Sequence, residues 1–200
     1  IKPRIQRFAQ EYPEYSFEEA IDHIKPDVLI GATGVAGTFN EAIIRKMTQA
    51  NQRPVIIALS NPTSHTECTA EQAYQWSGGQ VIFASGSPFG PVCYAGEWFR
   101  PAQGNNAYIY PGVGLGVYAS SARLVTQRMF LKAAEILAQS VTDQELNAGA
   151  IYPSLTRVRA VSHAIAVTIC RVAIQEGLVK TKLPEDLDSY VKSLMYDPSY

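Results

Sequence analysis

Cysteine, histidine and an excess of either charge are scarce in this sequence. Its three cysteines, Cys68, Cys93 and Cys170, are scattered through 200 residues. That is too few for a disulfide framework or a zinc knuckle, so a reducing compartment is expected, with the thiols as small apolar filler. The three histidines, His23, His65 and His163, share no metal-ligand spacing. Lys and Arg number 17 against 18 Asp and Glu, a formal net charge of −1. This speaks against the broad basic footprint that a nucleic-acid partner requires. No apolar run approaches the length of a bilayer span, so no membrane partner is expected. Ile1-Lys2-Pro3-Arg4 opens without methionine and does not start a signal peptide, which predicts a piece of a longer protein. What the chain does have is 200 residues, enough for one large domain or two small ones, and 46% hydrophobic residues, enough for a sizeable core.

The patterning of those residues predicts an α/β architecture. Ser16-Phe17-Glu18-Glu19 has the capping-box pattern and opens a helix to about Ile24. Val28-Leu29-Ile30 reads as a buried strand. Gly31-Ala32-Thr33-Gly34-Val35-Ala36-Gly37 follows, then Thr38-Phe39-Asn40-Glu41 as a second capping box and a helix from Phe39 to about Ala50. Val55 to Leu59 is the next strand, which completes a βαβ unit with a right-handed crossover. A third helix starts near Thr69 and ends before Gly78, and Val81 to Ala84 is a further strand. The segment from Ser85 to Asn106 is turn-rich, with a hairpin near Ala95-Gly96. From Gly112 the pattern turns helical: Arg123 to Ala138, a short helix capped by Thr142, Val158 to Gln175, and a final helix at Leu187 to Leu194. The apolar stripes of these helices read as core.

Two loops carry candidate binding chemistry. Ser60-Asn61-Pro62-Thr63-Ser64 stands at the carboxyl end of a strand, where open α/β sheets bind ligands. Gln103-Gly104-Asn105-Asn106 offers similar uncharged carboxamides, each both donor and acceptor, and Ser85-Gly86-Ser87-Pro88 ends another strand. Converging, they would line one polar crevice for a small oxygen-bearing ligand. Taken singly, each reads as a simple turn in preference to a site. The Gly31-x-x-Gly34-x-x-Gly37 turn departs from the dinucleotide fingerprint, Gly-x-Gly-x-x-Gly, but stands in its context, after a strand and before a helix N-terminus. A ligand-free tight turn is an equal reading. No acid–base pair and no carboxylate cluster for a divalent cation stands in these loops.

Together these segments resemble malic enzyme. The resemblance rests on Val28-Leu29-Ile30-Gly31 with Thr38-Phe39, on Arg53-Pro54-Val55-Ile56, and on Ala58-Leu59-Ser60-Asn61-Pro62-Thr63-Ser64 with Glu67-Cys68-Thr69-Ala70-Glu71. It continues through Phe83-Ala84-Ser85-Gly86-Ser87-Pro88-Phe89, Gln103-Gly104-Asn105-Asn106-Ala107-Tyr108 and Pro111-Gly112-Val113-Gly114-Leu115-Gly116. It covers about Phe17 to Pro198. The resemblance implies the second half of a Rossmann-type doubly wound parallel sheet, followed by a helical C-terminal region. It implies residues 1–106 as the C-terminal part of the NAD(P)-binding domain, 107–177 as helices packing on the catalytic domain, and 178–200 as an extension.

The activity implied is oxidative decarboxylation of malate to pyruvate and CO2 with reduction of NAD or NADP, using Mg2+ or Mn2+. Asn61 and Asn106 would bind substrate. Gly31, Ala32, Thr33, Leu59, Ser60, Asn61 and Asn105 would line the cofactor. The catalytic Lys and Tyr and the metal ligands would precede Ile1, so this segment would carry no catalytic residue and no metal site and would be inactive alone. The N-terminal portion of the same enzyme is the implied partner, within a homo-oligomer, dimer or tetramer. A cytoplasmic location is expected, with the mitochondrial matrix or another organelle as alternative. Ala102 departs from the family's usual Gly. Ser16 stands near a position where Lys would favour the 2′-phosphate of NADP, a lean toward NAD. The competing readings are another Rossmann-domain dehydrogenase and a non-catalytic nucleotide-binding module.

Overall fold

Residues 13–196 are described by a computed structural model. The first half is a strand–helix alternation. It runs α1 (Phe17–Ile24), β1 (Val28–Gly31), α2 (Glu41–Ala50), β2 (Val55–Ala58), α3 (Ala70–Ser77) and β3 (Ile82–Ser85). A hairpin of β4 (Val92–Tyr94) and β5 (Glu97–Phe99) follows, then β6 (Ala102–Gln103). Four strands form a wholly parallel sheet in the order β1-β2-β3-β6, and β4-β5 is the antiparallel hairpin expected at Ala95-Gly96. This is an α/β, Rossmann-type arrangement.

Register explains which face is buried. Leu29, Ile56 and Phe83 align, as do Gly31, Ala58 and Ser85. This face receives α2 and α3 through Phe39, Ile43, Ile44, Met47, Ala70, Ala73 and Tyr74. The opposite face carries Val28 and Ile30, which stay 46% and 60% exposed. The capping residues do the work expected of them at Ser16 and Thr69, both reciprocal capping boxes. The expected box at Thr38-Glu41 is corrected. Asn40 is the cap of α2, accepting from the Ile43 N–H at 3.0 Å, because the helix starts at Glu41 and Asn40 is the residue directly before it, while the Thr38 hydroxyl turns back to donate to the Val35 carbonyl.

The second half is helical: α4 (Tyr110–Ser120), α5 (Gln127–Gln139), α6 (Asp143–Asn147), α7 (Val158–Gln175) and α8 (Leu187–Ser193). The helix expected from Arg123 begins instead at Gln127. Thr126 accepts from the Met129 N–H and ends the preceding coil. Helix α7 is central. Val161, Ile165, Ile169 and Val172 pack with Val113, Met129 and Ala133, while Ala166, Val167 and Cys170 pack with Ala119, Leu187 and Val191. Burial on two sides makes the helix apolar most of the way round. Residues 155–175 are therefore long and apolar enough to cross a membrane, contrary to the expectation from the sequence, yet half of the segment is buried inside the fold. Cys68 and Cys170 are buried and Cys93 exposed, all unpaired. Burial pushes the Cys68 thiol up to about 12 and the Cys170 thiol to about 11, as befits filler.

Candidate functional site

The parallel register brings four strand ends to one edge. Gly31, Ala58, Ser85 and Gln103 are successive partners across the sheet. The ladder continues past the strands, with the Leu59, Gly86 and Gly104 N–H groups donating to Gly31, Ala58 and Ser85, each at 2.8 Å. The loops after Gly31, Ala58, Ser85 and Gln103 therefore lie side by side. Every residue singled out in the sequence for cofactor or substrate contact stands on this edge.

The Gly-rich turn is held from inside by Glu67, a fully buried carboxylate. Glu67 Oε1 accepts from the Thr33 N–H at 2.8 Å, the Thr33 hydroxyl at 2.9 Å and the Ser60 hydroxyl at 2.5 Å. Oε2 accepts from the Ser60 N–H at 3.3 Å. The Gly34 N–H donates to Ser60 Oγ at 2.9 Å, and the Val35 N–H to Thr33 Oγ1 at 3.1 Å. The Gly37 and Phe39 N–H groups donate to the Thr66 and Glu67 carbonyls. Burial alone would raise the Glu67 carboxyl, but the hydrogen bonds from Ser60 and Thr33 outweigh it and hold the group below its ordinary range. Five of the turn's donors are thus consumed within the protein.

Gly31 lacks a side chain for a reason internal to the fold. A Cβ there would lie 2.6 Å from Phe39 Cζ and 2.7 Å from Glu67 Cγ. Ala32 and Thr33 remain exposed at the rim.

Asn61 follows β2 and precedes Pro62 through a cis peptide bond. Its Oδ1 accepts from the Ser87 hydroxyl at 2.6 Å. Gly86 lets the two loops touch: a Cβ there would meet the Leu59 carbonyl at 2.2 Å and Asn61 Nδ2 at 2.8 Å. Gln103 Nε2 donates to the Gly86 carbonyl at 3.1 Å, which ties the fourth strand end to the third. Asn105 Oδ1 accepts from the Ala107 N–H at 2.9 Å and so turns the chain into a 3-10 segment, Asn106–Tyr108. The Asn106 carboxamide is exposed and makes no hydrogen bond to the described residues. A cavity of about 420 Å³ lies here, lined by Leu59, Gly104, Asn105, Asn106, Ile109 and Tyr152 among others. A larger one of about 760 Å³ adjoins it across Gln103, Tyr108 and Tyr152 but reaches none of the asparagines. Of the candidate residues, Leu59, Asn105 and Asn106 line the smaller cavity, and Asn61 does not.

Sequence reasoning missed the tasks of Glu67, Ser87 and Gln103. The one available signal was Glu67 itself, a charge set between a turn and the Thr69 cap with no partner nearby in sequence. Among the described residues no group of three or more His, Cys, Asp or Glu could hold a metal ion.

The family model for the malic enzyme NAD-binding domain matches residues 2–174. The NADP-dependent malic enzyme of Dictyostelium discoideum is 44% identical over 198 residues, covering 98% of this chain and 36% of the relative. The chloroplastic NADP-dependent malic enzyme of Zea mays is 47% identical over 203 residues, with 100% and 32% covered. The mitochondrial NADP-dependent malic enzyme of Mus musculus is 46% identical over 198 residues, with 98% and 33% covered. The chain thus spans about a third of the length of the curated relatives it matches. Two solved structures share the fold. The malic enzyme of Entamoeba histolytica has a TM-score of 0.70 at 21% identity, covering 90% of this chain and 32% of the other. That of Pyrococcus horikoshii has 0.61 at 24%, covering 84% and 35%.

Proposed function

This chain belongs to the malic enzyme family, and from that premise we propose that it forms part of the cofactor and substrate site of a longer enzyme. That enzyme oxidises malate and decarboxylates it to pyruvate and CO2 with a nicotinamide dinucleotide. The observation that carries the reading is the alignment of the four strand-end loops on one edge, with Asn61 and Asn106 both exposed there and Asn106 lining a cavity with Leu59 and Asn105.

Asn61 and Asn106 bind and orient the substrate: neutral carboxamides donate to its carboxylate or hydroxyl oxygens without fixing a charge. Thr33, Leu59, Ser60 and Asn105 form the wall that faces the dinucleotide. The cofactor, when bound, accepts the hydride. The residues described here orient, and none of them forms an acid–base pair beside the asparagines. A divalent metal does not fit them either, because they offer no cluster of ligands. Base and metal ligands belong to the remainder of the longer protein, against which helices 107–177 pack, and assembly as a homo-oligomer is part of the same reading. The NADP dependence of the named relatives weighs toward NADP and against the lean toward NAD taken from Ser16, which serves here as the α1 cap. The test is malate-dependent reduction of NADP or NAD by the full-length protein, with pyruvate measured as product. Full activity in Asn61→Ala and Asn106→Ala would overturn the assignment of this edge.

A further inference from the structure

Glu67 is the one buried ionisable group of this edge without an assigned task. It has no ion-pair partner among the described residues, and its carboxylate serves two other loops. Four donors reach it: the N–H and hydroxyl of Thr33 and the N–H and hydroxyl of Ser60. Because the Ser60 proton is committed to Glu67, the Ser60 oxygen is left to accept, and it takes the Gly34 N–H at 2.9 Å. The Glu67 main-chain carbonyl takes the Phe39 N–H at 3.1 Å, at the far end of the same turn. One residue therefore grips the turn at both ends and ties it to the end of β2. Glutamine has the same shape but offers one acceptor oxygen and an NH2 group, which would face a donor in this pocket. The Asn61 carboxamide has a separate support, the Ser87 hydroxyl from the loop after β3.

Resting on the reading that the turn and Ser60 face the dinucleotide, we propose that Glu67 is a positioning residue for the cofactor half of the site alone. Its carboxylate sets the placement of residues 32–38 relative to Ser60. It does not set Asn61. The two halves of the site then respond to different substitutions.

The test uses the full-length protein, with Glu67→Gln and Ser87→Ala compared with the wild type by cofactor titration and by malate KM at saturating cofactor. In Glu67→Gln the cofactor Kd is expected to rise about tenfold or more, the loss of a charge-assisted hydrogen bond, while malate KM stays within about threefold. Ser87→Ala is expected to do the reverse. A purely structural Glu67 would lower Tm and move both constants together or neither, and either result overturns the proposal. If Glu67→Gln does not fold, Glu67→Asp, which keeps the charge but withdraws it, is read by the same criterion. Gly34→Val separates the two layers of the argument. Cofactor Kd weakened there but intact in Glu67→Gln overturns the positioning role only. Cofactor Kd intact in both overturns the reading of the turn and this role with it.

Discussion

The Ser87 hydroxyl donates a 2.6 Å hydrogen bond to the Asn61 carboxamide oxygen, so the loops after β3 and β2 share a support exactly where neither strand pairs any longer with the other. The bond fixes the polarity of the carboxamide. Oδ1 is occupied, and Nδ2, which donates one long hydrogen bond of 3.5 Å to the Leu59 carbonyl, keeps its second N–H to give. A free donor suits an anionic substrate oxygen.

Asn61→Ala in the full-length enzyme should therefore lower kcat/KM for malate by an amount equivalent to about 1–3 kcal/mol, the value of a hydrogen bond to a charged group. Asn106→Ala should act in the same direction. Steady-state kinetics at saturating cofactor check both, and an unchanged constant removes the residue concerned from the substrate site.

Gly86→Ala tests the contact between the loops. The added methyl would sit 2.2 Å from a main-chain carbonyl and 2.8 Å from Asn61 Nδ2, so the backbone must move and Asn61 with it. A loss of about 1–3 kcal/mol in urea unfolding, typical of overpacking, should come with a raised malate KM. Stability lost with KM unchanged would show that Asn61 is positioned independently of this contact.

Gly34→Val acts through backbone strain. Gly34 has φ +69°, and nothing lies within 4 Å of a Cβ built there. The left-handed conformation costs a side-chain-bearing residue about 1–2 kcal/mol. The turn should relax away from its left-handed geometry, and cofactor affinity should fall more than Tm. Gly34→Asn, which tolerates this conformation, should recover most of the affinity.

The acid limb of stability carries the signature of Glu67. Its folded carboxyl titrates below the ordinary value of 4.5, so its contribution is fully present above that value and is lost as pH falls through the folded one. Glu67→Gln should flatten the dependence of the urea midpoint on pH below about 4.5 relative to wild type. Parallel curves would mean that the carboxyl is not held low.

The α4–α7 contact gives a stability test away from the site. A Cβ on Gly112 would lie 2.7 Å from Ile165 Cβ, and one on Gly116 2.6 Å from Ile169 Cβ, with main-chain oxygens within 2.9 Å of each. Gly112→Ala and Gly116→Ala should each cost about 1–3 kcal/mol. Gly114 faces open space, and Gly114→Ala should stabilise the helix by about 0.5–1 kcal/mol. Denaturant unfolding of the three variants decides it.

Local chemistry determined much of this fold before any contact was known. Ser16, Thr69 and Thr142 cap where their Glu or Gln partners three residues on predict. The β1-α2-β2 unit, the β4-β5 hairpin and the stripe of α7 follow from period and turn residues, because burial by a neighbouring layer imposes those periods on the sequence. The resemblance located the asparagine loops on the same footing, by residues adjacent in the chain. Tertiary structure alone decided the rest. The two residues of β6 join the sheet only through pairing with β3, too short a stretch to carry a period. Asn40 caps α2 in place of Thr38 because the helix starts at Glu41, and the Thr38 hydroxyl turns back to the Val35 carbonyl. Glu67 meets Thr33 across 34 positions and Ser87 meets Asn61 across 26. Hydrophobic period records which side of an element is buried, whereas the partner of a buried polar group is set by where the parallel register brings distant strand ends together.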